Sequence, residues 1–149
     1  MAAATRGFGP FHWRDAARGG LAYTAAVFVV AFAVGTVRVV LVAPRLGPLL
    51  AVVLEAPIVL AVSWRVSSWC IRRFTVTPDP RGRVLMGAVA FTALQLLELG
   101  VSAWVFGEAV DRYLANYRTL PGVVGLSMQI CFAAIPWVQS RWPGGVRGE

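Results

Sequence analysis

The chain has 149 residues, 58% of them hydrophobic and 14% charged, whereas a soluble domain averages roughly 45–50% apolar and about 25% charged. A soluble fold of this size buries only about 70% of its extended-chain surface, so the composition excludes a water-exposed globular domain, and its apolar content excludes disorder. Arginine supplies all 14 basic residues against seven acidic ones, for a net charge of +7, a balance that suits either nucleic acid or a membrane surface.

Arg6, Arg14 and Arg18 precede the first long apolar run, GLAYTAAVFVVAFAVGTVRVVLV, which predicts a helix over about 20–42. Crossing a hydrocarbon core of about 30 Å takes about 20 apolar residues. The many Val and Ala residues would be ambiguous in water, but a lone segment in lipid must satisfy its own backbone and is therefore helical. Ala31-Phe32-Ala33 imitates a signal-peptide cleavage site. The apolar run nevertheless continues for nine residues beyond it, so the segment reads as a retained first helix. Ala43 to Pro48 reads as a tight turn, with Pro48 starting a second helix over 48–71 that contains Glu55 and Arg65, since a first-turn proline loses no helical hydrogen bond.

Thr77 to Arg83 reads as a loop rich in Pro and Gly, followed by a third helix over 84–106 interrupted only by Glu98. In the next connection Tyr113 and Tyr117 lie four apart beside Asp111 and Arg112, which predicts one amphipathic turn lying on the membrane surface. Thr119 is a candidate N-cap, with Pro121 in the first turn of a fourth helix over 119–138 that carries no charge. The prediction is an all-α, integral membrane four-helix bundle, one transmembrane domain over 1–149 with short tails. Short connections make neighbouring helices antiparallel.

Ten arginines (Arg6, Arg14, Arg18, Arg65, Arg72, Arg73, Arg81, Arg83, Arg141 and Arg147) fall on one side of this topology, and three (Arg45, Arg112 and Arg118) on the other. The positive-inside bias places both termini in the cytoplasm of a bacterial inner membrane. Five of the six tryptophans (Trp13, Trp64, Trp69, Trp137 and Trp142) lie toward that side and Trp104 toward the other, as in an interfacial aromatic belt. The basic charge is thereby explained by topology. It suits anionic lipid headgroups at the cytoplasmic face and lacks the contiguous basic face with interleaved stacking aromatics that nucleic acid requires.

Arg38, Glu55 and Glu98 remain inside the predicted membrane. Counted from the outer helix ends at about 1.5 Å per residue, they lie about 6, 10 and 12 Å deep. Each costs roughly 2.5–3.5 kcal/mol against lipid alone. A side chain on the first helix leans toward its N-terminus, so Arg38 is expected to reach down between the two carboxylates. Thr92, Gln95, Glu98 and Ser102 recur at spacings of one helix face. Gly35 offers close approach beside Arg38, and Pro57 frees a backbone carbonyl near Glu55. The predicted site is a buried intramembrane cluster of Arg38, Glu55, Glu98 and Gln95, acting either as a structural lock or as a proton or ion site. Gln129, Ser63 and Ser67 read as interhelical hydrogen-bonding residues.

Cys70 and Cys131 are far apart within apolar segments, so no disulfide framework or metal site is expected and both read as buried small side chains. His12 has no nucleophile or metal partner beside it, and no phosphate loop, nucleophile elbow, zinc-protease or dinucleotide motif occurs. No enzyme activity and no cofactor are expected.

Gly35-Thr36-Val37-Arg38, Pro44-Arg45-Leu46-Gly47, Glu55-Ala56-Pro57, Ser63-Trp64 and Arg72-Arg73-Phe74 give the first half of the chain a resemblance to small, uncharacterised four-helix membrane proteins of proteobacteria. The resemblance implies a bacterial inner membrane and no specific activity. Four-helix small multidrug transporters are similar only in size and architecture, since their membrane Glu belongs to the first helix, where this chain has Arg38. The expectation is a non-enzymatic accessory or self-associating membrane component, a homo-oligomer or part of a larger membrane complex. The alternative is a small proton- or cation-coupled transporter or channel.

Overall fold

A computed structural model describes residues 12–141. The expectations for Arg6, Trp142, Arg147 and the two tails lie outside the described residues. The chain forms α1 (Trp13–Val37), a π-helical turn (Arg38–Val42), α2 (Ala43–Leu46), α3 (Pro48–Arg73), α4 (Pro80–Trp104), α5 (Val110–Asn116) and α6 (Leu120–Arg141), with no strand among the described residues. Four helices are long and apolar enough to cross a membrane: α1 continued through Leu46, α3, α4 and α6.

Local chemistry explains where the elements differ from the apolar runs. Helix α1 starts seven residues before the first run, because Arg14, Ala16, Ala17 and Arg18 favour helix and Asp15 in the first turn complements the helix dipole. Its path is broken only at Gly47, whose φ of 82° and ψ of 158° suit glycine, so the turn expected over Ala43 to Pro48 contracts to one residue. Helix α4 starts four residues before 84 because Asp79 caps it, its carboxylate accepting from the Arg81 N–H at 3.1 Å, with Pro80 as first helical residue. That places Arg83 in the first turn rather than in a loop. It is 4% exposed and donates from Nε to the Thr77 carbonyl at 3.0 Å, so it does not face headgroups. Helix α6 is capped by Thr119, whose hydroxyl oxygen accepts from the Gly122 N–H at 3.1 Å.

Each long helix packs on two others, in the cyclic order α1, α4, α6, α3. The core lies toward one end of this ring and includes Ala16, Tyr23, Cys70, Ile71, Met86, Ala90 and Phe132. Small residues let the backbones touch there. A Cβ added at Gly20 would stand 2.6 Å from the Met86 carbonyl oxygen, and one at Gly87 would collide with the Ala133 carbonyl. Hydrogen bonds join the same end. Tyr23 stacks on Phe132 at 4.3 Å and donates to its carbonyl at 3.0 Å. Ser67 donates to Gln139 Oε1 at 2.9 Å, while the Gln139 amide donates to the Trp64 carbonyl and the Ser68 hydroxyl. In a membrane each such bond contributes about 0.6 kcal/mol on average, so the small-residue contacts dominate and the bonds fix register.

The other end is looser. Beyond Val27, α1 exposes Val29, Phe32 and Val37, and the π-helical turn exposes Val39, Val40 and Leu41. Cys70 is buried, but Cys131 is exposed on α6, contrary to the expectation of two buried thiols, because it lies about a quarter turn from the buried stripe of Phe132, Ile135, Pro136 and Gln139. Trp13, Trp64, Trp69 and Trp104 are exposed, and the Arg141 guanidinium lies 4.5 Å from the Trp137 ring centroid.

Candidate functional site

At the loose end the long helices and α5 line a half-open cavity of about 720 Å³. Its polar lining includes Arg38, Glu55, Glu98, Tyr113, Tyr117 and Gln129, and its apolar wall includes Val27, Val52, Leu94 and Phe132. Phe132, stacked on Tyr23, separates the cavity from the packed core.

Arg38 opens the π-helical turn, a helix widening that recurs at functional sites. Its Nε lies 2.5 Å from Glu55 Oε2, joining α1 to α3. A Cβ at Gly35 would lie 3.6 Å from Glu55 Oε1, an ordinary contact, and no neighbouring backbone comes within 4 Å of it, so the close approach expected at this glycine does not occur. Pro57 is exposed and does not line the cavity.

Glu98 faces a different set of partners. Its Oε2 accepts from Gln129 Nε2 on α6 at 2.6 Å and from the Tyr113 hydroxyl on α5 at 3.3 Å. The Tyr113 and Tyr117 hydroxyls lie 2.7 Å apart, and Gln95 Nε2 donates to Tyr117 Oη at 3.1 Å. The two rings meet edge to face at 5.4 Å. Burial, then the Tyr117 hydroxyl and the Glu98 charge, push the Tyr113 phenol well above its ordinary range, so it remains a donor at neutral pH. Ser102 donates to Glu108 Oε2 at 2.8 Å, tying the end of α4 to the segment before α5.

Arg38, Glu55 and Glu98 therefore line one cavity, but Arg38 does not bridge the two carboxylates. It engages Glu55 across the α1–α3 contact, whereas Glu98 is held by α5 and α6. Gln95 reaches this network through Tyr117, and Thr92 is exposed rather than part of a continuous polar stripe. The sequence reading puts Tyr113 and Tyr117 on one amphipathic turn, which α5 and its C-cap form, but does not foresee that both line the cavity. They turn inward because two carboxylate and amide groups at the end of α4 offer partners that a membrane surface would not hold in place. Their spacing of four was the available signal, since it puts both rings on one face of a turn. Gln129 bonds across helices as expected, and its partner is the carboxylate of the site.

No family model matches the sequence, and neither a curated protein nor a solved structure does. The functional reading accordingly rests on the cavity. Among the described residues no group of three or more His, Cys, Asp or Glu side chains could hold a metal ion. What the cavity offers is one neutralised ion pair, one carboxylate held by neutral donors, two phenols and an apolar wall.

Proposed function

We propose that this chain is a multi-pass protein of a bacterial inner membrane, with both termini cytoplasmic and neighbouring helices antiparallel in one transmembrane domain. We further propose that it is a small non-enzymatic transporter or channel in which Glu55 and Glu98 handle protons or a cation. The supporting observation is the cavity of about 720 Å³ that holds both carboxylates. A half-open pocket of this size, lined by both carboxylates, gives an ion or ligand room that a purely structural lock does not need. Intramembrane carboxylates facing a cavity are the usual mark of an ion or proton path. The Arg38–Glu55 contact favours a second, compatible role as a register lock between α1 and α3, which suits an accessory or self-associating component. Arg72, Arg73 and Arg81, exposed around the α3–α4 connection, suit anionic headgroups at the cytoplasmic face.

Reconstituted into liposomes that enclose a pH-sensitive dye, the wild-type chain is expected to dissipate an imposed proton gradient faster than empty vesicles do, and Glu98→Gln to remove most of the difference. Wild-type traces equal to those of empty liposomes would leave the accessory role alone. For topology, cysteines placed singly at Thr77 and Asn116, in a background lacking Cys70 and Cys131, should label from opposite sides of intact cells. Labelling of both from outside contradicts the arrangement.

A further inference from the structure

We infer that the cavity takes a protonated primary or secondary amine carried on an apolar body. The inference rests on the reading of this cavity as a ligand site and adds the chemical class of the ligand.

The two carboxylates differ in one respect. Glu55 has a cation, Arg38, 2.5 Å away. Glu98 has only neutral donors among the described residues, the Gln129 amide and the Tyr113 hydroxyl, and both bonds go to Oε2. Its Oε1 accepts no hydrogen bond among the described residues. The side-chain carbonyl oxygen of Gln129 also has no donor, but it is shielded from the cavity, so Glu98 Oε1 is the acceptor left for a ligand. A carboxylate with a free oxygen and no cation beside it favours a ligand that brings donors and one positive charge.

An ammonium group has three N–H donors and no acceptor. Placed beside Glu98, it would give the carboxylate the cation that Arg38 gives Glu55 and supply a donor to Oε1. A quaternary ammonium would bring the charge but leave Oε1 without a donor. The rest of the lining sets the body of the ligand. Val27, Leu94 and Phe132 are hydrocarbon, and about 720 Å³ is far more room than a bare inorganic ion fills, within the roughly 300–1,000 Å³ range of small-molecule pockets.

Calorimetric titration of the purified chain in detergent micelles tests this with four probes: 2-phenylethylammonium, its N-trimethyl analogue, neutral 2-phenylethanol, and sodium chloride. The primary ammonium is expected to bind saturably, the neutral alcohol at least tenfold more weakly, and the trimethyl analogue at an intermediate level. Glu98→Gln should weaken the primary ammonium at least tenfold and abolish its preference over the alcohol. Cys131→Ala, outside the cavity lining, should bind like wild type. If Glu98→Gln fails to fold, the ranking of probes on the wild type still decides. Equal affinity for ammonium and alcohol overturns the inference, as does displacement of the amine by equimolar sodium. Amine binding without proton flux in the liposome assay keeps the ligand class and rejects transport. Proton flux with no amine binding keeps transport and rejects the ligand class.

Discussion

Replacing Gly87 by alanine is expected to destabilise the bundle by about 3 kcal/mol, the upper end of the usual cost of overpacking, and Gly87→Val to prevent α4 and α6 from closing. The added Cβ would collide with the Ala133 carbonyl oxygen, and the next nearest atoms are also backbone, the Ala133 carbonyl carbon at 3.2 Å and its Cα at 3.8 Å. A side chain in the way could rotate aside. A helix backbone moves only as a whole, so the α4–α6 contact must open. Gly100 on the same helix is the control, since a Cβ there meets nothing within 4 Å. Gly100→Ala should be neutral or gain about 0.5–1 kcal/mol, because alanine restricts the unfolded chain and favours helix. Unfolding by sodium dodecyl sulfate, followed by helical circular dichroism, separates the two variants. Equal midpoints would mean that α4 and α6 do not approach this closely.

Much of the fold is legible in composition, because runs of about 20 apolar residues that cross a membrane must be helical, and the four long helices follow the four runs. The ends were less legible. Gly47 could be placed as the single break only with its backbone angles known, and Asp79 as a cap competes in sequence with the Pro-rich segment around it. For the site, the cost of burying charge singles out Arg38, Glu55 and Glu98 without any structure, and all three line one cavity. Depth along a helix is a one-dimensional quantity, however, and says nothing about which neighbour a side chain faces. Equal depth suggested an Arg between two Glu, whereas the cyclic order α1, α4, α6, α3 turns Glu98 toward α6 and α5. The inward turn of Tyr113 and Tyr117 depends on that rotation and was not legible from amphipathic spacing alone.

Arg38→Ala is expected to cost about 1–3 kcal/mol, less than the roughly 3–5 kcal/mol of a fully buried ion pair, because the Arg38 and Glu55 side chains keep 28% and 12% of their surface exposed. The loss leaves the Glu55 carboxylate facing a cavity walled largely by hydrocarbon. Glu55→Gln should cost less, because Arg38 sits near the end of α1 and its long side chain can carry its charge toward the interface. Adding Glu55→Gln to Arg38→Ala removes the stranded charge and should recover part of the loss, giving a coupling of about 1–3 kcal/mol, as for residues in contact. The same cycle with Glu98 should be additive to within about 0.5 kcal/mol, since Glu98 is held by Gln129 and Tyr113 and not by Arg38. Both cycles can be read from dodecyl sulfate unfolding of the three single and two double variants. Equal coupling of Arg38 to both carboxylates would restore the bridging arrangement that helix depth alone suggests. Zero coupling to Glu55 would mean that α1 and α3 do not meet through this pair, and the register lock between them would have to be given up.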